Sequence, residues 1–275
     1  MTLLSEVEER APASVPGPPL TEAHVRGVLD VVLDPELDEP ITDLGFVTSV
    51  TVTEAAVEVH LRLPTSFCSP SFAYLMASDS RDEVTALLAR RDDPRALVVE
   101  LDDHHDSPRI NAGLAADAGY RGTFGDEAED SLDELRMVFR RKAHTAAAER
   151  CLTGLLRLDP ERAVDTLGEV RLGDLPEGHD REALVRRRAA LGLPVDGDAV
   201  VLVDAEGRRP DDVPMALRRA RSTRISIDGN AHFCRGLLAT RYPGSEGDQA
   251  PRAEEAFVPL ASLTTRPHPA KEQHR

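Results

Sequence analysis

Leu33-Asp34-Pro35-Glu36-Leu37, Ile41-Thr42-Asp43-Leu44-Gly45 and Pro64-Thr65-Ser66-Phe67-Cys68-Ser69-Pro70 follow one another in quick succession near the start of the chain. Two turns carrying carboxylates thus precede a single cysteine. Ser69 is a good N-cap and Pro70 a good first helical residue, so a helix is expected to start directly after Cys68. It should run to about Arg91 on Phe72, Leu75, Met76, Val84, Leu87 and Leu88. Upstream, Thr21 reads as an N-cap, and Val25, Val28, Leu29 and Val32 form one apolar stripe on a short helix that must stop before Pro35. Phe46, Val50 and Val52 mark a first strand. Val57, Val59, Leu61 and Leu63 alternate with Glu58, His60 and Arg62 in a second, and the short link between the two predicts an antiparallel hairpin. Leu97, Val99 and Leu101 give a third strand. The sum is an α-β-β-α-β unit over residues 20–118, an α/β (α+β) fold with a three-stranded sheet covered by helices.

Outward from that unit the pattern changes. Residues 1–19 read as a tail, because their proline density forbids helix and removes ladder donors. Residues 119–130, with three glycines and several acids, read as a linker. A second, mixed and mainly helical domain is expected over 131–245, with a long helix from Ser131 to Leu158 and another near Arg181 to Leu191. A strand is expected at Ala199 to Asp204, a helix after Val213 and a further strand at Arg224 to Ile227. Residues 246–275 turn to Gly, Pro and charge and read as a mostly flexible tail.

Bulk properties exclude several functions. The 275 residues carry a formal charge of -16 and 30% charged side chains, which argues against binding nucleic acid or an anionic membrane, since both need clustered Lys and Arg. Three cysteines, Cys68, Cys151 and Cys234, are too few and odd in number for a disulfide framework and fit a reducing cytoplasm. No run approaches the roughly 18 apolar residues of a membrane span. There is no Gly-rich phosphate loop and no defensible Ser-His-Asp order, so the reading is of a protein that is not itself an enzyme.

Cys68 is the residue best placed for chemistry, because a helix N-terminus favours thiolate, the form that attacks and that binds soft metals. An inert cysteine at a strand-helix corner reads equally well. Asp34, Glu36 and Asp43 could meet it at one edge of the sheet, although Asp before Pro and Asp before Leu-Gly are also ordinary turn chemistry. His104 and His105, inside Asp102-Asp103-His104-His105-Asp106, could ligate iron or zinc or simply close a strand. His232 and Cys234 form a His-x-Cys pair in what reads as a strand, a tight turn and a helix start. Two residues cannot close a tetrahedral zinc site. His60 is expected to be exposed and Cys151 to be a small core residue.

Taken together, Asp34-Pro35-Glu36-Leu37, Asp43-Leu44-Gly45-Phe46-Val47, the alternating hairpin and Leu63-Pro64-Thr65-Ser66-Phe67-Cys68-Ser69-Pro70 resemble the metal-sulfur cluster assembly family of SufT and PaaD type, also called domain-of-unknown-function family 59. The resemblance covers about residues 20 to 115. Family members commonly have Cys-Pro where Ser69 intervenes here. The resemblance implies a role in maturing iron-sulfur or other iron-dependent proteins, with Cys68 as the functional thiol and iron or an iron-sulfur cluster held transiently, or with no cofactor at all. It implies a client metalloprotein as partner, a diiron monooxygenase subunit being the natural case, docked by the second domain. One thiol is too few for a cluster, which usually takes about four ligands; a homodimer sharing two Cys68 residues, or a client, would supply the rest. A metal-free folding scaffold and a thiol redox protein stand as the alternatives.

Overall fold

The computed structural model describes residues 19–128 and 131–251. Helix α1, Glu22–Leu29, is opened by Thr21, whose side chain and backbone engage His24 in a capping box. Its end falls three residues short of Val32, which is buried in the turn beyond. Strands β1 (Val47–Val52) and β2 (Ala56–Arg62) form the expected antiparallel hairpin, with an irregularity between Val47 and Ser49. Helix α2, Pro70–Arg90, then crosses over to β3, Ala96–Asp102, which pairs parallel to β2. The sheet order is β1-β2-β3. Alternation puts Val57, Val59 and Leu61 of β2 and Val99 and Leu101 of β3 into a core shared with Val25 and Leu29 of α1 and Val84 and Leu88 of α2. The α/β reading of this unit therefore holds, because period-2 and helical stripes converge on one interior.

Residues 119–127, expected to be a linker, are helical instead. Gly119–Phe124 is helix α4, following α3 (Ser107–Ala115), and Gly125–Glu127 is a turn of 3-10 helix. Phe124 is buried against Tyr74 and Tyr120 with ring centroids 5.9 and 5.0 Å away. Two aromatics packed on α2 outweigh the glycines.

The helical region begins as expected with α5, Leu132–Leu158, capped by the Ser131 side chain, and continues with α6, His179–Ala190. Two expected strands are absent. Ala199 to Asp204 makes a single bridge, Val200 to Arg171, although Val201 and Leu202 are buried. The apolar run was a burial signal without a ladder partner. Arg224 to Ile227 lies inside α7, Val213–Arg241. Its β-branched residues and Gly229-Asn230 suggested a strand and turn, but Ala220, Ile227, Ala231 and Leu238 recur at helical spacing and are buried, and such packing overrides local propensity.

Helix α7 ties the molecule together. Val213, Ala216 and Leu217 pack on a second core built from α5, α6 and the connecting turns, whereas Ala231 and Leu238 are fully buried in the first core. The segment after α7 is also anchored as far as it is described: Asp248 pairs with Arg62, and the Ala250 amide donates to Asp43 O. Residues 1–18, which include most of the proline-rich tail, and 252–275 lie outside the described residues. No described helix is long and apolar enough to cross a membrane.

Candidate functional site

Cys68 sits where the sequence placed it, directly ahead of the cap of α2, in the loop from β2. Its Sγ lies 3.4 Å from Thr65 Oγ1, and it packs half-buried against the first core. The loop is fixed from behind. The buried His104 donates from Nε2 to Cys68 O at 2.8 Å, while its Nδ1 accepts from the Asp106 amide at 3.1 Å, a tautomer assigned by these partners. With both nitrogens engaged, His104 acts as a loop brace rather than a free ligand. His105 packs its ring on Phe67, 5.6 Å between centroids, and Phe67 is 80% exposed beside the cysteine.

Asp34 performs turn chemistry and faces the site as well. Its Oδ1 accepts from the Glu36 and Leu37 amides at 2.9 Å each, which shapes the Asp34-Pro35-Glu36-Leu37 turn. Burial nonetheless pushes its carboxyl up to about 6, against those two amides, with Glu36 and Glu39 adding negative charge. No lysine or arginine forms an ion pair with it among the described residues. Asp43 falls elsewhere: it is exposed, its carboxyl is raised by partial burial and by Asp30, and its carbonyl accepts from Arg235 and Ala250. Gly45 closes its turn at φ +74°, where an added Cβ would meet Gln249 Cγ at 3.1 Å, so glycine is required both by the backbone and by the returning chain.

The residue that sequence reasoning could not place is Cys234. Asn230, one turn before it on α7, donates to Glu36 Oε1 at 3.1 Å. Arg241, two turns after it, donates to Leu63 O and to Ser66 Oγ at 3.2 and 2.7 Å and to Asp103 O. Between these anchors Cys234 lies half-buried on the stripe of Ala231 and Leu238, against the same core as Cys68. Burial above all, with smaller contributions from Asp34, Cys68 and Glu36, pushes its thiol up to about 12. His232 does not join. Two residues along a helix turn about 200°, so His232 points away from Cys234 and is exposed. Cys151 is a buried member of the second core, its thiol likewise raised to about 12 by burial.

Among the described residues, one group brings three ligand atoms within 4.8 Å of one another: His60, Glu100 and Asp102, on the outer face of β2 and β3. His60 Nδ1 lies 3.2 Å from both Asp102 oxygens, a solvent-facing His-carboxylate pair that accounts for the arrangement. A cleft of roughly 850 Å³ opens between the turns of the first unit and α5 and α6, with Asp34, Asp38 and Glu39 on one wall and Arg136, Arg150 and Arg187 on the other. Arg187 closes it with an ion pair to Asp38.

No curated protein and no solved structure matches the chain. Residues 22–93, which run from α1 through the Asp34 turn and the hairpin to the end of α2 and include Cys68, match the family model of iron-sulfur cluster assembly protein. That stretch, about a quarter of the chain, is what resembles an iron-sulfur cluster assembly protein; β3 and α3 to α7 lie outside the match.

Proposed function

We propose that the chain is an assembly factor that takes iron or an iron-sulfur cluster as cargo at Cys68 and delivers it to a client iron protein, without itself catalysing a reaction. The observation that carries this reading is the family match over residues 22–93 combined with the position of Cys68, braced from behind by His104 and flanked by the exposed Phe67. A half-buried thiol on a fixed loop with an exposed aromatic beside it suits transfer to a docking protein, because the aromatic offers contact area at low entropic cost. Within the broader family the SufT and PaaD type is the closer fit, on the Asp34, Asp43 and Cys68 motifs, and a diiron monooxygenase subunit is the client we infer. We infer a cytoplasmic protein, since its cysteines are free and reduced thiols persist there.

The test is the iron content and activity of a candidate oxygenase matured in cells with the native chain or with Cys68→Ser. We expect the variant to fold as the native chain and to leave the client iron-poor. Full maturation by Cys68→Ser would overturn the thiol role and leave the metal-free scaffold. Co-purification of the two proteins checks the docking step independently of the metal.

A further inference from the structure

We propose that the cleft between the first unit and helices α5 and α6 seats the chain's own C-terminal segment, Glu254 to Leu263, so that the protein carries in cis the acidic, apolar peptide this surface fits. The inference is independent of the cargo at Cys68. For that segment, which lies outside the described residues, sequence and point of departure decide. Seated there, it covers the Asp34-Pro35 turn on the cleft wall, and a partner that docks on that turn must first displace it.

The chain is led to the cleft. The Ala250 amide donates to Asp43 O at 2.9 Å, and the Ala250 carbonyl accepts from the Arg235 guanidinium at 3.3 Å. Ala250 and Pro251 themselves line the cleft, so residue 252 starts at its edge. At about 3.3 Å per extended residue, Glu255 lies within about 13 Å of Pro251 and Leu263 within about 40 Å, a reach that covers every wall of a cleft of roughly 850 Å³. That volume is in the upper range for pockets that enclose a small ligand. It admits a few side chains and not a folded partner. Residues 1–18 also carry acids and leucines, but Pro19 and Leu20, where they join, do not line the cleft.

The lining says what fits. Arg136, Arg187 and Arg235 are taken by Asp79, Asp38 and Glu39. Arg140 on α5 and Arg186 on α6 line the same cleft, are exposed, and form no ion pair among the described residues. On the opposite wall Val31 and Leu33 are 62% and 41% exposed, apolar side chains left to water in a concave surface. Glu254 and Glu255 bring two carboxylates for the two open arginines, and Phe257, Val258 and Leu260 bring apolar surface for Val31 and Leu33. Arg252, next to Pro251, meets the carboxylates of Asp30 and Asp43 on the wall from which it starts. Exposed ion pairs are individually weak. The tether supplies the rest, because a short linker gives an effective concentration in the millimolar range, and contacts too weak for a free peptide then fill the site.

The chain has no tryptophan, so Phe257→Trp places a single reporter in the full protein. Its emission should be blue-shifted and shielded from acrylamide. Arg140→Glu together with Arg186→Glu, two exposed positions that should keep the native urea midpoint, should shift the indole to the emission of a solvated one, since two exposed ion pairs together move the occupancy roughly tenfold. Adding Glu254→Arg and Glu255→Arg to that variant should bring the blue shift back. A solvated reporter in the otherwise native chain overturns the proposal and leaves the cleft to an acidic segment of another protein. A buried reporter that the arginine changes leave unmoved overturns it too, because the segment then lies elsewhere. A blue shift that grows with protein concentration assigns the segment to a second copy and overturns the seat within one chain. A second readout needs no tryptophan: the tryptic cut after Arg252, followed by mass spectrometry, should be roughly tenfold slower in the native chain than in the variant with both arginines reversed, since cleavage of a transiently opened segment tracks its open population. Equal rates overturn the proposal.

Discussion

Asp34 and Glu149 are both carboxylates removed from water, one in each half of the molecule, and they are treated in opposite ways. Glu149 on α5 is 1% exposed; burial would raise its carboxyl, but hydrogen bonds from Thr153 and Arg221 and the charge of Arg224 outweigh that and hold it below the usual range. Arg224 in turn pairs with Asp228, completing a network that joins α5 to α7. Asp34, 7% exposed, receives two backbone amides and no cation, and burial lifts it to about 6. The difference shows what a structural charge looks like in this chain. Where an anion serves packing, the chain supplies its own arginines; at the Cys68 face it does not.

The largest expected effect breaks the first side of that contrast. Glu149→Ala leaves Arg221 and Arg224, neighbours on α7, without their shared carboxylate, and should lower stability in urea unfolding by about 3 kcal/mol. Next comes His144 on α5, fully buried with both ring nitrogens unpartnered and its pKa lowered to about 4 by burial, with Arg188 adding to the shift. The unfolded chain accepts this proton near 6.5 and the folded chain only near 4, so stability should fall by up to about 3 kcal/mol as pH drops through that window. In His144→Leu that slope should vanish. Asp34 works in the opposite sense: the folded chain takes its proton near 6 and the unfolded chain near 3.8, so its contribution grows as pH falls from 6 to 3.8. The native protein should show the two slopes partly offset, and Asp34→Asn should steepen its acid destabilisation.

At pH 7.5 the same Asp34→Asn change should stabilise the protein by about 1–2 kcal/mol, since the amide keeps the Oδ1 acceptor and sheds a buried charge. Destabilisation would mean that a counter-charge was already present, and the contrast with Glu149 would fail. Smallest of all, Cys68→Ser should change the free energy of urea unfolding by less than about 0.5 kcal/mol, while abolishing client support.

The first unit was legible because its signals are local. Thr21, Pro35 and Ser69-Pro70 mark ends, and Val57, Val59 and Leu61 fix which face of the hairpin is buried. In the helical region α5, with its cap at Ser131, and α6 were legible from their own runs of helix formers. Gly229-Asn230 and the neighbouring isoleucines were misread because the helix there is held by contacts from residues nearly two hundred positions away, such as Glu36 and Glu39. The same long reach hid where Cys234 falls. Cys68, Asp34 and Glu36 lie on one short stretch, but nothing in the spacing of Cys234 tells that α7 returns it to the core that Cys68 packs against. His232 was kept beside Cys234 as a His-x-Cys pair, and the helix turns the two apart.

Helix α7 has 29 residues and so a length of about 43 Å. Its first turns belong to one core and its last to the other. Neither core is complete without it, so heat or urea should melt the two as a single transition rather than in sequence. The same rod carries Cys234, the Asn230 tie and the Arg241 clamp. A partner that grips its Val213 end and turns it disturbs all three at once, at a distance, and loosens the thiol face in one stroke.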